Sequence, residues 1–371
     1  MNPFIPPKRI LMGPGPSNVH PRVLEAMARP TIGHLDPKFI DLMDEIKELL
    51  KYTFQTKNEV TFAVSGPGSV GMETCLVNLV EPGSKVLVCI NGVFGGRMKS
   101  IVERCGAEAV VLNIPWGKSI DTQLFEDTLK KNQGITICSF VHAETSTGAK
   151  SDIKILTEIA HKYNCLVIAD TVTSLGGIPL MIDEWNIDIS YSGSQKCLSC
   201  PPGLSPVTFN ERAVEFIKKR KTLVQSWFMD LNLILSYWGG STKRAYHHTA
   251  PINSLYALHE SLLILKEEGI ENSWKIHQSN GEKLVQELSK IGLSPYVKEF
   301  ERLPQLTSVT IPDGIDEAKI RTTLLNDYSI EIGAGLGELA GKVWRIGLMG
   351  YTSNTVNINA CVNALKNILG K

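Results

Sequence analysis

Between residues 37 and 220 the chain alternates short apolar runs with amphipathic stretches, and this alternation constrains its fold more than any other feature. Residues 37–54 carry Phe39, Ile40, Met43, Ile46, Leu49 and Leu50 at helical spacing, a stripe that a helix buries on one face. VTFAVSG (60–66) follows, then a glycine-led helical segment, then KVLVCI (85–90). A helix near 95–105, the strand AVVLNI, a helix over 121–131, the strand ITICSFV, a helix over 152–163 and the strand CLVIAD (165–170) continue the pattern. DISYSG and SPVTFN add two more strands. Runs apolar on both faces belong in a mainly parallel sheet covered by helices, with the intervening helices as crossovers. An α/β domain is predicted.

The texture changes after about residue 252. A long helical stretch, INSLYALHESLLILKEEG, closes at Gly269, which suits a helix C-cap. A helix over 271–291, the strand TSVTIP, the helix DEAKIRTTLLNDY, the runs SIEIG and KVWRIGLMG and a last helix from about 353 follow. This is the order of a smaller α+β domain. The expected division is an N-terminal arm over 1–20, a large domain over 21–268 and a small domain over 269–371. With 371 residues, 43% of them hydrophobic, the chain can fill two cores.

Charge and cysteine usage narrow the setting. Lys plus Arg and Asp plus Glu both number 38, a balance that argues against a nucleic-acid or membrane-surface partner. No apolar run approaches the ~18 residues of a membrane helix, and the proline-broken N-terminus does not read as a signal peptide. The eight cysteines lie mostly in apolar runs, as free thiols do in a reducing compartment, so a cytoplasmic location is expected. Cys197 and Cys200 have CxxC spacing without a second pair, and no metal site is expected.

An open parallel sheet binds its ligand beyond the carboxyl ends of its strands, and four signals fall where such a ligand would meet the chain. SGPGSVGMET (65–74) opens a helix with small residues, leaving backbone N–H groups free for an anion, or simply making a tight turn. Asp170 ends the strand CLVIAD, placed either to pair with a protonated ring nitrogen or to cap the next helix. Lys196, in SGSQKCLSCPPG, sits among small polar residues, where confinement turns an amine into a nucleophile. Arg345 is a lone charge in an apolar strand of the second domain, suited to a substrate carboxylate or to an internal salt bridge.

These four, with GPGPSN (13–18), LVEPG (79–83), HAETSTG (142–148), DTVTSLGG (170–177), YSGSQK (191–196), YHHT (246–249), ENSW (271–274) and KVWRIGLMG (342–350), carry a resemblance over nearly the whole chain. The chain resembles the class V, fold-type I pyridoxal-phosphate aminotransferases, in the alanine–glyoxylate/serine–pyruvate branch. The resemblance implies that Lys196 holds pyridoxal 5'-phosphate covalently and moves the substrate proton, and that Asp170 pairs with the pyridinium nitrogen. It implies that Pro67, Gly68, Ser69 and Gln195 hold the phosphate, that Thr145 meets the ring hydroxyl and that Val172 packs under the ring. Tyr246 and Thr249 would reach the phosphate of a neighbouring subunit, which implies a homodimer. Arg345 would clamp the substrate carboxylate, and Gly15 and Gly33 would border the substrate.

Two departures are visible. Phe94 stands where the animal enzymes stack a Trp on the ring, and GHLDP (33–37) differs from the animal form, so the specificity wall at Gly33 and His34 does not carry over. His247 and His248 read as packing or hydrogen-bonding groups. The expected activity is ping-pong transfer between a small amino acid (L-alanine or L-serine) and a small 2-oxo acid (glyoxylate or pyruvate), alanine–glyoxylate transfer first among these. The alternatives are transfer from 2-aminoethylphosphonate to pyruvate, a cysteine desulfurase, for which no cysteine lies in a late glycine-rich loop, and a catalytically silent cofactor-binding protein.

Overall fold

In a computed structural model that describes residues 1–239 and 244–371, the apolar runs assemble into one seven-stranded sheet. Its strands are β1 (Val60–Ser65), β2 (Lys85–Ile90), β3 (Glu108–Asn113), β4 (Ile135–Val141), β5 (Leu166–Asp170), β6 (Ile189–Tyr191) and β7 (Leu204–Phe209). They lie in the order β1-β7-β6-β5-β4-β2-β3, parallel from β6 to β3. Helices cover both faces, so the middle residues of β1, β2 and β5 are buried on either side. That is why these strands read as unbroken apolar runs.

β7 departs from the parallel pattern, running antiparallel to both β1 and β6. The segment 192–203 between β6 and β7 contains no helix, whereas a parallel return usually runs through a crossover helix. The chain therefore turns back on itself at the carboxyl edge of the sheet. Lys196 rides on that return.

The helix Pro37–Phe54 starts where Asp36 accepts the Lys38 N–H at 2.8 Å and Pro37 fills the first turn, and it buries Phe39, Met43, Ile46 and Leu50. Asp121, Asp152, Asn210 and Asp316 cap other helices through their side chains. Two helices without a sequence expectation, Glu211–Lys218 and Leu231–Trp238, follow β7. The helix Ile252–Glu268 ends at Gly269, whose φ of 85° favours glycine.

A second core gathers Leu284, Leu288, Trp344, Ile346, Ile358 and Leu365, and Met12 joins it from the far end of the chain. Its sheet holds β8 (Leu306–Thr310), β9 (Gly333–Ala334) and β10 (Val343–Gly347) in the antiparallel order β8-β10-β9. Ile10–Leu11 pairs in parallel with Ile330–Glu331, so SIEIG divides between two sheets and the N-terminal arm is woven into the C-terminal core. The arm then leaves along Gly347, whose N–H donates to the Met12 carbonyl at 2.7 Å, and crosses toward Lys196.

Candidate active site

In the large sheet β3 lies outside β2 and β4 lies on its other side, so chain order reverses between β2 and β4. A crevice opens beyond the carboxyl ends at such a reversal. Phe94 follows β2 there, Thr145 follows β4 and Asp170 ends the adjacent β5. Asp170 is buried: its Oδ1 accepts the Val172 N–H at 2.9 Å and its Oδ2 the Tyr191 hydroxyl at 2.7 Å. Burial pushes its pKa up to about 6 against these two donors. No cation lies within 4 Å of it among the described residues.

Lys196 is buried under the arm. Its Nζ donates to the Pro14 carbonyl, while Ser17 fastens the arm to the lysine loop, its N–H donating to the Gln195 carbonyl at 2.9 Å and its hydroxyl to the Lys196 carbonyl at 2.7 Å. Gly15 holds a φ of 110°, which favours glycine, and a Cβ there would stand 2.5 Å from the lysine Nζ and force the lysine to shift. Burial lowers the Lys196 pKa from 10.5 to about 8, which leaves about a tenth of the amine neutral at pH 7.

Arg345 comes from β10 of the second domain. Its Nε donates to the Ala334 carbonyl at 2.7 Å and its Nη1 to the Thr145 carbonyl at 3.0 Å. It has no carboxylate partner within 4 Å among the described residues, so the internal salt bridge is not formed, and burial lowers its pKa to about 10. The two carbonyls fix the guanidinium plane and leave Nη2 free for an external acid. The Pro14 ring packs on Gly333, 2.6 Å from where a Cβ on that glycine would be, and the same Cβ would stand 3.5 Å from the Arg345 Cβ.

The helix Gly68–Leu79 begins at Pro67 without a side-chain cap. A Cβ on Gly68 would lie 3.3 Å from Val172 Cγ2 and 3.6 Å from the Ser192 carbonyl, so the bare helix start abuts the Asp170 and Lys196 loops. The Gln195 Oε1 is buried without a partner. Ser69 accepts a hydrogen bond from Arg97 Nη1 at 2.9 Å.

Sequence reasoning gave no role to Glu144 or Tyr191, although both lie in quoted motifs. Glu144 is fully buried; one oxygen accepts from the Ser146 N–H and hydroxyl, at 3.0 and 2.6 Å, and the other from the Phe94 N–H at 3.2 Å. It thereby caps the helix Val93–Arg104 from across the crevice and holds the phenylalanine in place; burial raises its pKa to about 6. A lone acid among hydroxyls in a buried run was the signal for Glu144.

A family model, "Aminotransferase class-V", matches residues 10–354. The chain belongs to the class-V aminotransferases. It is 42% identical to the alanine–glyoxylate aminotransferase of Rattus norvegicus, over 98% of this chain and 88% of the relative. A solved alanine–glyoxylate aminotransferase from Nostoc sp. superposes with a TM-score of 0.97 at 47% identity, covering 100% of this chain and 97% of that one. The (S)-ureidoglycine–glyoxylate transaminase of Bacillus subtilis is 36% identical over 98% of this chain and 91% of its own.

Family membership assigns pyridoxal phosphate as the cofactor, and the residues present fit it. The uncapped helix start, the orphaned Gln195 oxygen and the cradle above Gly68 suit a phosphate, and Asp170 suits a protonated ring nitrogen. Lys196, Asp170, Val172, Gly15, Thr145 and Arg345 converge on the crevice, with Pro67, Gly68, Ser69 and Gln195 at one side and Phe94 at the β2 end. Gly33, Tyr246 and Thr249 are exposed; the His34 and Tyr246 rings lie 5.2 Å apart, and His248 ties YHHT to Ser65 through a 2.7 Å hydrogen bond.

When bound at Lys196, the cofactor supplies an electron sink for the substrate Cα. This chain's own groups do the rest. Arg345 would orient the substrate by its carboxylate, and Lys196, with its lowered pKa, would accept and return a proton at Nζ. The Tyr191 hydroxyl and Val172 N–H hold Asp170 in one orientation and favour its charged form. The arm is bonded to the lysine loop through Ser17 and to the lysine Nζ through the Pro14 carbonyl.

Proposed function

We propose that this aminotransferase moves the amino group of L-alanine to glyoxylate, giving pyruvate and glycine in two half-reactions at one site. The observation that carries the reading is the buried guanidinium of Arg345, near Lys196 and without a carboxylate partner among the described residues. Arg22 is tied to Glu260 and Glu267, and Arg244 to Asp44, so neither is free to read a second carboxylate. Substrates with one carboxylate and a small remainder fit such a site. The names of the rat, Nostoc and Bacillus relatives all include glyoxylate, which supports that acceptor, and two include alanine.

Initial rates with glyoxylate and each of L-alanine, L-serine, (S)-ureidoglycine and 2-aminoethylphosphonate test the donor. The highest kcat/KM with L-alanine supports the reading, and a higher value with any other donor overturns it. Solved cysteine desulfurases share only the fold at 12% identity, and the absence of sulfide release from L-cysteine is expected.

Exposed Tyr246 and Thr249 support a homodimer in which each chain completes the phosphate site of its partner. Eight free, buried thiols support a reducing, cytoplasmic setting. Sedimentation of the holoenzyme as a monomer would contradict the first of these.

A further inference from the structure

The phosphate of the cofactor is a dianion, yet Pro67, Gly68, Ser69 and Gln195 are all neutral. The helix start contributes only about half a positive charge. A full positive charge stands next to them. Arg97 lies one turn after Phe94 on the helix Val93–Arg104, so both side chains project from the same face. Its guanidinium sits over the Phe94 ring, 5.1 Å from the centroid, and its Nη1 reaches Ser69 Oγ at 2.9 Å.

That geometry has two consequences. The Ser69 oxygen is an acceptor for Arg97, so the serine proton is left to donate to an anion. Arg97 has no carboxylate within 4 Å among the described residues, in contrast to Arg22 and Arg244. The guanidinium is held between the Phe94 ring and the Ser69 hydroxyl, and a planar fork matches two phosphate oxygens.

We propose that Arg97 is the cationic anchor for the cofactor phosphate, acting with Ser69 at the start of the helix Gly68–Leu79. The role concerns the cofactor and holds whichever amino donor the enzyme uses. Arg97 is exposed, so solvent screening limits its contribution to about tenfold in affinity.

Full-length protein freed of cofactor and titrated with pyridoxal phosphate or with pyridoxal, which lacks the phosphate, tests this. Binding is read from the absorbance of the bound chromophore, without turnover. Arg97→Gln is expected to weaken pyridoxal phosphate about tenfold and leave pyridoxal within about twofold of the unmodified protein; Arg97→Lys, which keeps the charge, recovers part of the loss. Equal weakening of both ligands would mean that Arg97 acts through Phe94 or the fold, and unchanged affinity for both would mean that it touches no phosphate. Either result overturns the proposal.

Discussion

Replacing Lys196 by methionine should make the cofactor-free protein more stable, and by an amount that depends on pH. The buried amine has a pKa of about 8 against an ordinary 10.5. At about 1.4 kcal/mol per pKa unit, burying the charged form costs about 3 kcal/mol. The folded lysine binds protons less tightly than the unfolded one. Its favourable contribution is therefore present above pH 10.5 and lost as pH falls through 8, where the cost is felt in full. Methionine occupies similar space without the charge. It also leaves the Pro14 carbonyl without its donor, a loss of about 1 kcal/mol that does not vary with pH. Urea unfolding of both proteins at pH 7 and pH 10 isolates the titrating part, because other groups cancel in the difference. The variant should gain about 2–3 kcal/mol more, relative to the unmodified chain, at pH 7 than at pH 10. A difference that is the same at both pH values would refute the claim that burial depresses this amine.

Other substitutions probe the remaining contacts. Arg345→Gln removes the guanidinium proposed to hold the substrate carboxylate, and kcat/KM should fall about 10²–10³-fold for amino and oxo acid alike; a change below about threefold would remove Arg345 from substrate binding. Gly15→Ala puts a Cβ 2.5 Å from Lys196 Nζ at a φ of 110°, so capture of the cofactor, followed by absorbance, should slow by about tenfold or more. Tyr191→Phe deletes the 2.7 Å donor to Asp170 and should raise the carboxyl pKa by about one pH unit or more, read by carbon NMR of the cofactor-free protein. An unchanged Asp170 titration would show that the tyrosine bond does not hold the charge.

Much of this was legible in the sequence because burial on both faces writes strands as apolar runs, and because a lysine or arginine isolated among uncharged residues is conspicuous. Lys196 and Arg345 stood out on that ground, and Asp170 because it ends a strand. The direction of β7 did not: a central strand buried on all sides reads the same whichever way it runs, and only the missing crossover helix in 192–203 betrays the return. The pairing of Ile10–Leu11 with Ile330–Glu331 joins distant ends of the chain, and no local pattern encodes such a contact. Glu144 was overlooked because its partner is a backbone N–H fifty residues away, at Phe94. No sequence motif singles out Arg97; its bond to Ser69 and its place over Phe94 depend on residues from two separate helices meeting at the crevice.

The central claim is that one lysine-centred site carries an amino group from L-alanine to glyoxylate in separable halves. The holoenzyme mixed with ¹⁵N-labelled L-alanine and no acceptor should release one pyruvate per chain and stop; once the unreacted alanine has been removed, added glyoxylate should yield one labelled glycine per chain. No pyruvate in the first step, or glycine without the label in the second, would contradict the account.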